Sequence, residues 1–160
     1  MDKQQYKRIL NSELEQIKQV VIWKDDNGEC HLFSRYKVRT LNNKHIVSKY
    51  DTDIRAFDRL LSAISWCVAD NMGRYDVSTE IKRLDALLTT MADDVYVRTD
   101  SLKNCKDSEQ AEIIRLKIDT KNQQKREVEE KLKYFFKETK AWQSRGFTNE
   151  LKRSSSSTTC

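Results

Sequence analysis

The sequence predicts an α+β fold: a small antiparallel β-meander covered by a helix, followed by a long antiparallel helical hairpin of coiled-coil type. Three observations predict it. From Asp76 to Trp142, apolar residues recur at alternating steps of three and four, and their mean of about 3.5 keeps one apolar seam along each of two helices. Residues 20–50 carry instead β-prone runs separated by turn-forming residues. The 160 residues include no proline and only three glycines, which leaves long helices without a built-in break. The expected units are 1–75, the hairpin 76–147, and a Ser/Thr-rich tail over 148–160 that is too polar to order itself.

The first unit opens with an amphipathic helical pattern over 3–18, built on Tyr6, Ile9, Leu10, Leu14 and Ile17. The period then changes. Val20-Val21-Ile22-Trp23 is β-prone, Asp26-Asn27-Gly28 is a turn whose Asn and Gly accept positive φ, and Glu29–Phe33 returns as the paired strand. Tyr36, Val38 and Thr40 alternate with Lys37 and Arg39, giving one dry and one wet face. A second turn at Leu41–Lys44 leads to a strand over His45–Tyr50. The dry face needs a cover. A helix capped by Thr52 or Asp53 supplies it through Ile54, Phe57, Leu60, Leu61, Ile64, Ser65, Cys67 and Val68, with Trp66 at the sheet edge and a stop at Met72-Gly73.

The hairpin arms are expected over 77–104 and from Asp107 or Ser108 to Gln143, with Asp76 or Ser78 capping the first and Gly146 ending the second. Ile81, Leu84, Leu88, Met91, Val95, Leu102 and Cys105 form one seam; Ala111, Ile114, Ile118, Val128, Leu132, Phe135 and Trp142 form the other. For an antiparallel pair turning near Lys106–Asp107, facing positions add to about 213. Ile81 then faces Leu132, Leu84 faces Val128 or Glu129, Val95 faces Ile118, Leu88 meets Lys125 and Met91 meets Lys121. A lysine in a dry seam must snorkel or find a carboxylate, because an unpaired buried charge is costly. Asp85, Asp93 and Asp94 lie near that level. The other reading is a loosely packed mid-hairpin that a second subunit completes.

Hydrophobic residues make up 38% of the chain, below the usual ~45–50%, which fits a small core with long exposed helices. The net charge is +5. Residues 1–50 carry ten basic and six acidic side chains, 51–99 six and nine, and 100–160 fourteen and ten, so an acidic middle lies between two basic flanks. That pattern suits pairing of subunits or an outside polyanion. Cys30, Cys67, Cys105 and Cys160 are far apart, which points to a reducing compartment rather than a disulfide framework. With no apolar signal core and no window of about 18 apolar residues, a soluble intracellular protein with no membrane partner is expected.

No catalytic or cofactor motif stands out. Gly28, Gly73 and Gly146 are isolated and form no phosphate loop. Cys30-His31 has no partners at zinc-finger spacing, so neither a metal nor any other cofactor is expected. Paired acids such as Asp93-Asp94 and Glu129-Glu130 read as solvated helix faces, and no enzyme is expected. The polar feature that remains is the second arm. Lys131, Lys133, Lys137, Lys140 and Arg145, with Tyr134, Trp142 and Phe147 nearby, could contact phosphates and stack on bases of a single strand, although Glu127, Glu129, Glu130 and Glu138 interrupt them.

Several stretches, Leu32-Phe33-Ser34-Arg35-Tyr36-Lys37-Val38, Ser65-Trp66-Cys67, Glu80-Ile81-Lys82-Arg83-Leu84-Asp85 and Ala141-Trp142-Gln143-Ser144-Arg145-Gly146-Phe147, resemble short accessory proteins of T4-like tailed phages of marine bacteria. Ser144-Arg145-Gly146-Phe147 is also locally similar to the T4-type recombination mediator, a likeness that carries no function across. The resemblance implies a viral origin, with the host cytoplasm or the virion as the setting. The functional expectation is a non-catalytic protein that assembles with itself or another phage protein, with Leu84, Leu88, Met91, Lys121, Lys125, Leu132 and Phe135 as the interface set. The alternative is a nucleic-acid-binding accessory protein of phage replication or recombination, using Lys131, Lys133, Lys137, Lys140 and Arg145.

Overall fold

The computed structural model describes residues 4, 8 and 23–157, with backbone alone at 23 and from 142 onward. The helix expected over 3–18 lies outside the described residues apart from Gln4 and Arg8, both helical, and so does the start of the β-prone run at Val20. Five strands follow in a simple antiparallel meander ordered β1 to β5: β1 (Trp23–Lys24), β2 (Cys30–Leu32), β3 (Tyr36–Leu41), β4 (Lys44–Lys49) and β5 (Thr52–Phe57). Three helices complete the chain: α1 (Leu60–Asn71), α2 (Tyr75–Lys103) and α3 (Ser108–Ser157).

Tight turns set the sheet register. Asn42-Asn43 and Tyr50-Asp51 are two-residue loops in which both residues have positive φ, the conformation that matches strand twist. Alternation then sorts the faces. Cys30, Leu32, Tyr36, Val38, Val47 and Phe57 are buried on one side, while Lys37 pairs with Glu29 and Arg39 grips Asp53 with both guanidinium nitrogens on the other.

β5 corrects the expectation that Thr52 or Asp53 caps a helix. Those residues form an edge strand, and α1 begins only at Leu60. Ile54 and Phe57 stand three apart, a helical step, but a bulge opposite Val47 and Ser48 lets both reach the core from a strand, and the turn at Tyr50-Asp51 decides for the strand. Helix α1 is buried almost all round, from Ser62 to Ala69, which marks a helix packed on two sides. One side lies under the sheet. The other meets Val77, Ile81 and Phe136 at the base of the hairpin, so the molecule is layered as sheet, α1 and arms. The helix ends where expected: Gly73 has φ +73°, its amide donates to the Asp70 carbonyl, and the Arg74 amide donates to that of Ala69.

Helix α2 starts at Tyr75 without a side-chain cap, and Ser78 lies buried inside the first turn rather than capping it. Its 29 residues span ~43 Å at 1.5 Å per residue. Asp107 caps α3 by accepting from the Glu109 amide at 3.0 Å. The arms pack antiparallel close to the expected register, with Leu84 and Leu88 against Val128 and with Lys121 near Asp94. Helix α3 runs past Gly146 to Ser157, where the sequence suggested a stop and a disordered tail over 148–160. A single glycine costs a helix only about 1 kcal/mol and need not end it.

Candidate functional site

The arms divide into an anchored base and a bare distal half. At the base, Leu84 and Leu88 are fully buried against Val128, and Leu87, Met91, Leu132 and Phe135 pack around them half-buried. This places five of the seven expected interface residues in one cluster that holds the arms to each other. Beyond Leu88 no residue of α2 is buried, and on α3 between the turn and Val128 only Ala111 is. The seam continues as half-buried Met91, Val95, Leu102, Ile114 and Ile118. In the same region Tyr96, Val97, Ile113 and Leu116 are exposed at 45–72%.

The seam lysines Lys121 and Lys125 are both half-buried. Lys121 Nζ lies 4.0 Å from Asp94 Oδ2, and Asp94 also accepts from Arg98 Nε at 3.1 Å. The stems of Lys121 and Lys125 cover the seam while their charges stay near water. Asp85, a candidate partner for them, is occupied elsewhere. Its wholly buried carboxylate accepts from the Asp58 amide at 2.8 Å and from Arg59 Nη1 at 3.3 Å. Thr89 donates to Asp58 at 2.5 Å, and Lys44 also pairs with Asp58. This network rivets the sheet-to-α1 corner onto the first arm. Sequence reasoning missed it, as it missed buried Phe136. Both lie where an arm meets α1 as well as its partner arm, so the buried arc is wider than a two-helix seam.

The basic residues of α3 are brought to the surface but not to one point. Lys131, Lys133 and Lys137 are exposed, while half-buried Lys140 lies over the Phe136 ring at 5.7 Å. Lys133 is 3.6 Å from Glu130. The side chain of Arg145 lies outside the described residues. A shallow open groove of about 430 Å³ runs along the base, lined by Glu80, Glu130, Lys131, Tyr134 and Phe135.

The buried titratable groups of the core are structural. Burial pushes the thiols of Cys30 and Cys67 up, which makes them inert. Tyr36 is raised by burial and by its 2.5 Å hydrogen bond to Asp70, which Lys49 also pairs at 3.0 Å. Burial lowers His45, whose Nδ1 lies 3.0 Å from Thr40 Oγ1. At the β1–β2 loop, Asp25, Glu29 and His31 gather on the wet face of the sheet, and the hydrogen bond from His31 holds Asp25 below the usual carboxylate range.

The β5 edge of the sheet is blocked. Lys82 Nζ donates to the Ala56 carbonyl at 2.5 Å and Arg55 Nη1 to that of Ile54 at 2.7 Å, so two cations occupy carbonyls of β5 that another strand would use.

Fold and surface together define an α+β protein with a projecting two-helix arm. No family model, curated protein or solved structure matches the chain. Among the described residues no helix is long and apolar enough to cross a membrane.

Proposed function

We propose that this chain is a non-catalytic phage protein that works by protein–protein assembly through its helical hairpin, as a virion component or assembly factor. The observation that carries the reading is the distal half of the arms. Its seam is only half-buried, and Tyr96, Val97, Ile113 and Leu116 face solvent there. A two-helix arm without a third layer gains little from its own packing, so apolar residues on its outside suit a second copy or another protein. The cations on the β5 edge disfavour strand addition there. Sedimentation of the full chain tests the reading, alone and mixed with the structural proteins of the phage. The chain should associate, and Tyr96→Glu with Leu116→Glu should abolish association while leaving the melting temperature of the dilute chain unchanged. A chain that stays monomeric at high concentration and binds none of those proteins would sink the proposal.

A second reading rests on a separate observation: among the described residues, exposed Arg126 and Lys137 have no carboxylate within ion-pair distance. With Lys131, Lys133 and Lys140 they suit a single-stranded nucleic acid. This reading requires binding that weakens steeply with salt and is lost in Lys131→Glu, Lys133→Glu, Lys137→Glu. Binding that survives this triple change rules it out.

A further inference from the structure

Strand pairing, not sequence spacing, assembles the polar cluster on the β1–β2 hairpin. Lys24 pairs with Cys30 and Trp23 with His31, which sets Asp25 across from Glu29. Glu29 and His31 are two residues apart and so share the wet face, while Cys30 between them points into the core and is buried. His31 Nε2 lies 2.9 Å from Asp25 Oδ2, and one ligand atom from each of Asp25, Glu29 and His31 lies within 4.8 Å of the others. The Asp25 carboxylate is already oriented, because its other oxygen accepts from the amides of Asn27 at 3.0 Å and Glu29 at 2.9 Å.

We propose that this hairpin carries a divalent transition-metal site, with His31 Nε2, Asp25 Oδ2 and a Glu29 carboxylate oxygen as its protein ligands. Two ligands held ~2.05 Å from one cation are about 2.9 Å apart at a right angle and about 3.4 Å apart at a tetrahedral one. The Asp25–His31 spacing therefore fits neighbouring corners of an octahedron, and Glu29 completes a face by side-chain rotation. One imidazole with two carboxylates favours a first-row cation such as Ni²⁺ or Mn²⁺ over Ca²⁺ or Mg²⁺, with water filling the remaining corners. The amides that orient Asp25 are the outer support such a ligand requires. Lys37, 3.5 Å from Glu29, is the built-in competitor.

The chain contains only two histidines, and His45 is 1% exposed, so imidazole-dependent binding reports on His31. Titration calorimetry of the full, tag-free chain with NiCl₂ should show one ion per chain. His31→Gln keeps a donor for Asp25 but loses the ligating nitrogen, and should weaken binding by about tenfold or more. Lys37→Met should tighten it about two- to fivefold by freeing Glu29. Mn²⁺ should broaden the ring resonances of His31 first and those of His45, two strands away, only at higher occupancy. No binding at millimolar Ni²⁺, or His31→Gln binding within twofold of the native chain, overturns the proposal.

Discussion

Removing the Asp85 carboxylate should loosen the joint between the sheet unit and the first arm. Asp85→Ala deletes two hydrogen bonds at a site that is 0% exposed. The Asp58 amide loses its acceptor in a partly buried corner, which costs about 1–3 kcal/mol. A fully buried ion pair broken on one side would cost about 3–5 kcal/mol. The Arg59 side chain is 26% exposed and keeps its bonds to the Asp85 carbonyl and Thr89, so its share is nearer ~1 kcal/mol. The expected loss is about 3 kcal/mol. Asp85→Asn keeps an acceptor for the Asp58 amide and should lose about 1 kcal/mol. Urea unfolding followed by circular dichroism measures both. A loss below about 1 kcal/mol for Asp85→Ala, or equal losses for the two variants, would refute the assignment of this network as the rivet.

Gly73→Ala meets nothing within 4 Å but must hold φ +73°, so it should cost about 1 kcal/mol from the backbone alone, read as a lower urea midpoint. Lys125→Leu should raise stability by about 0.5–1 kcal/mol in the same assay, because the seam position is half-buried and its charge contributes little there. Stability should also fall with pH through His45. Burial holds its folded-state value below the ordinary imidazole value, with Asp85 and Asp58 pulling weakly the other way. Below about pH 6.5 the unfolded chain takes up a proton that the folded chain refuses, so stability present above that pH is lost on acidification. Urea midpoints at pH 7.5 and 5.5 should separate, and the separation should shrink in His45→Gln.

The seam was legible because its period has one structural meaning, and the register followed from the place of the turn. Leu84 and Leu88 meet Val128 and Lys121 meets Asp94, within about a turn of the expected pairing. β5 was not legible: Thr52-Asp53 looks like a helix cap, and Ile54 and Phe57 stand three apart, a step a helix uses and a strand accommodates only through the bulge found here. The signal against the helix was the turn Tyr50-Asp51, which holds positive φ without the Asn-Gly pair that normally marks such turns. Asp85 read as a seam neighbour of the lysines, because the sequence does not say that a corner of the sheet descends onto that turn of α2. Asp25 and His31 were equally hidden, since cross-strand pairing brings them together at a spacing no metal motif shares.

The division of the arms carries its own test. Near the base, each arm packs on its partner and on α1, and the Asp85 network adds a polar anchor, so opening there requires breaking the main core. From about residue 92 to 120 the arms have only each other and one half-buried stripe, with the seam lysines Lys121 and Lys125 just beyond it. Conformational entropy of about 1–2 kcal/mol per ordered residue is poorly offset by so little burial. The distal arms should therefore open locally well below the global unfolding free energy. Amide exchange should be fast over 92–120 and slow over 60–69 and 77–88 in the dilute chain. Assembly through the distal arms adds the missing layer, so raising the concentration or adding the partner should slow exchange over 92–120 and leave the base unchanged. Uniformly slow exchange along both arms in the dilute chain would show that the hairpin is complete by itself, and the argument for a partner there would fail.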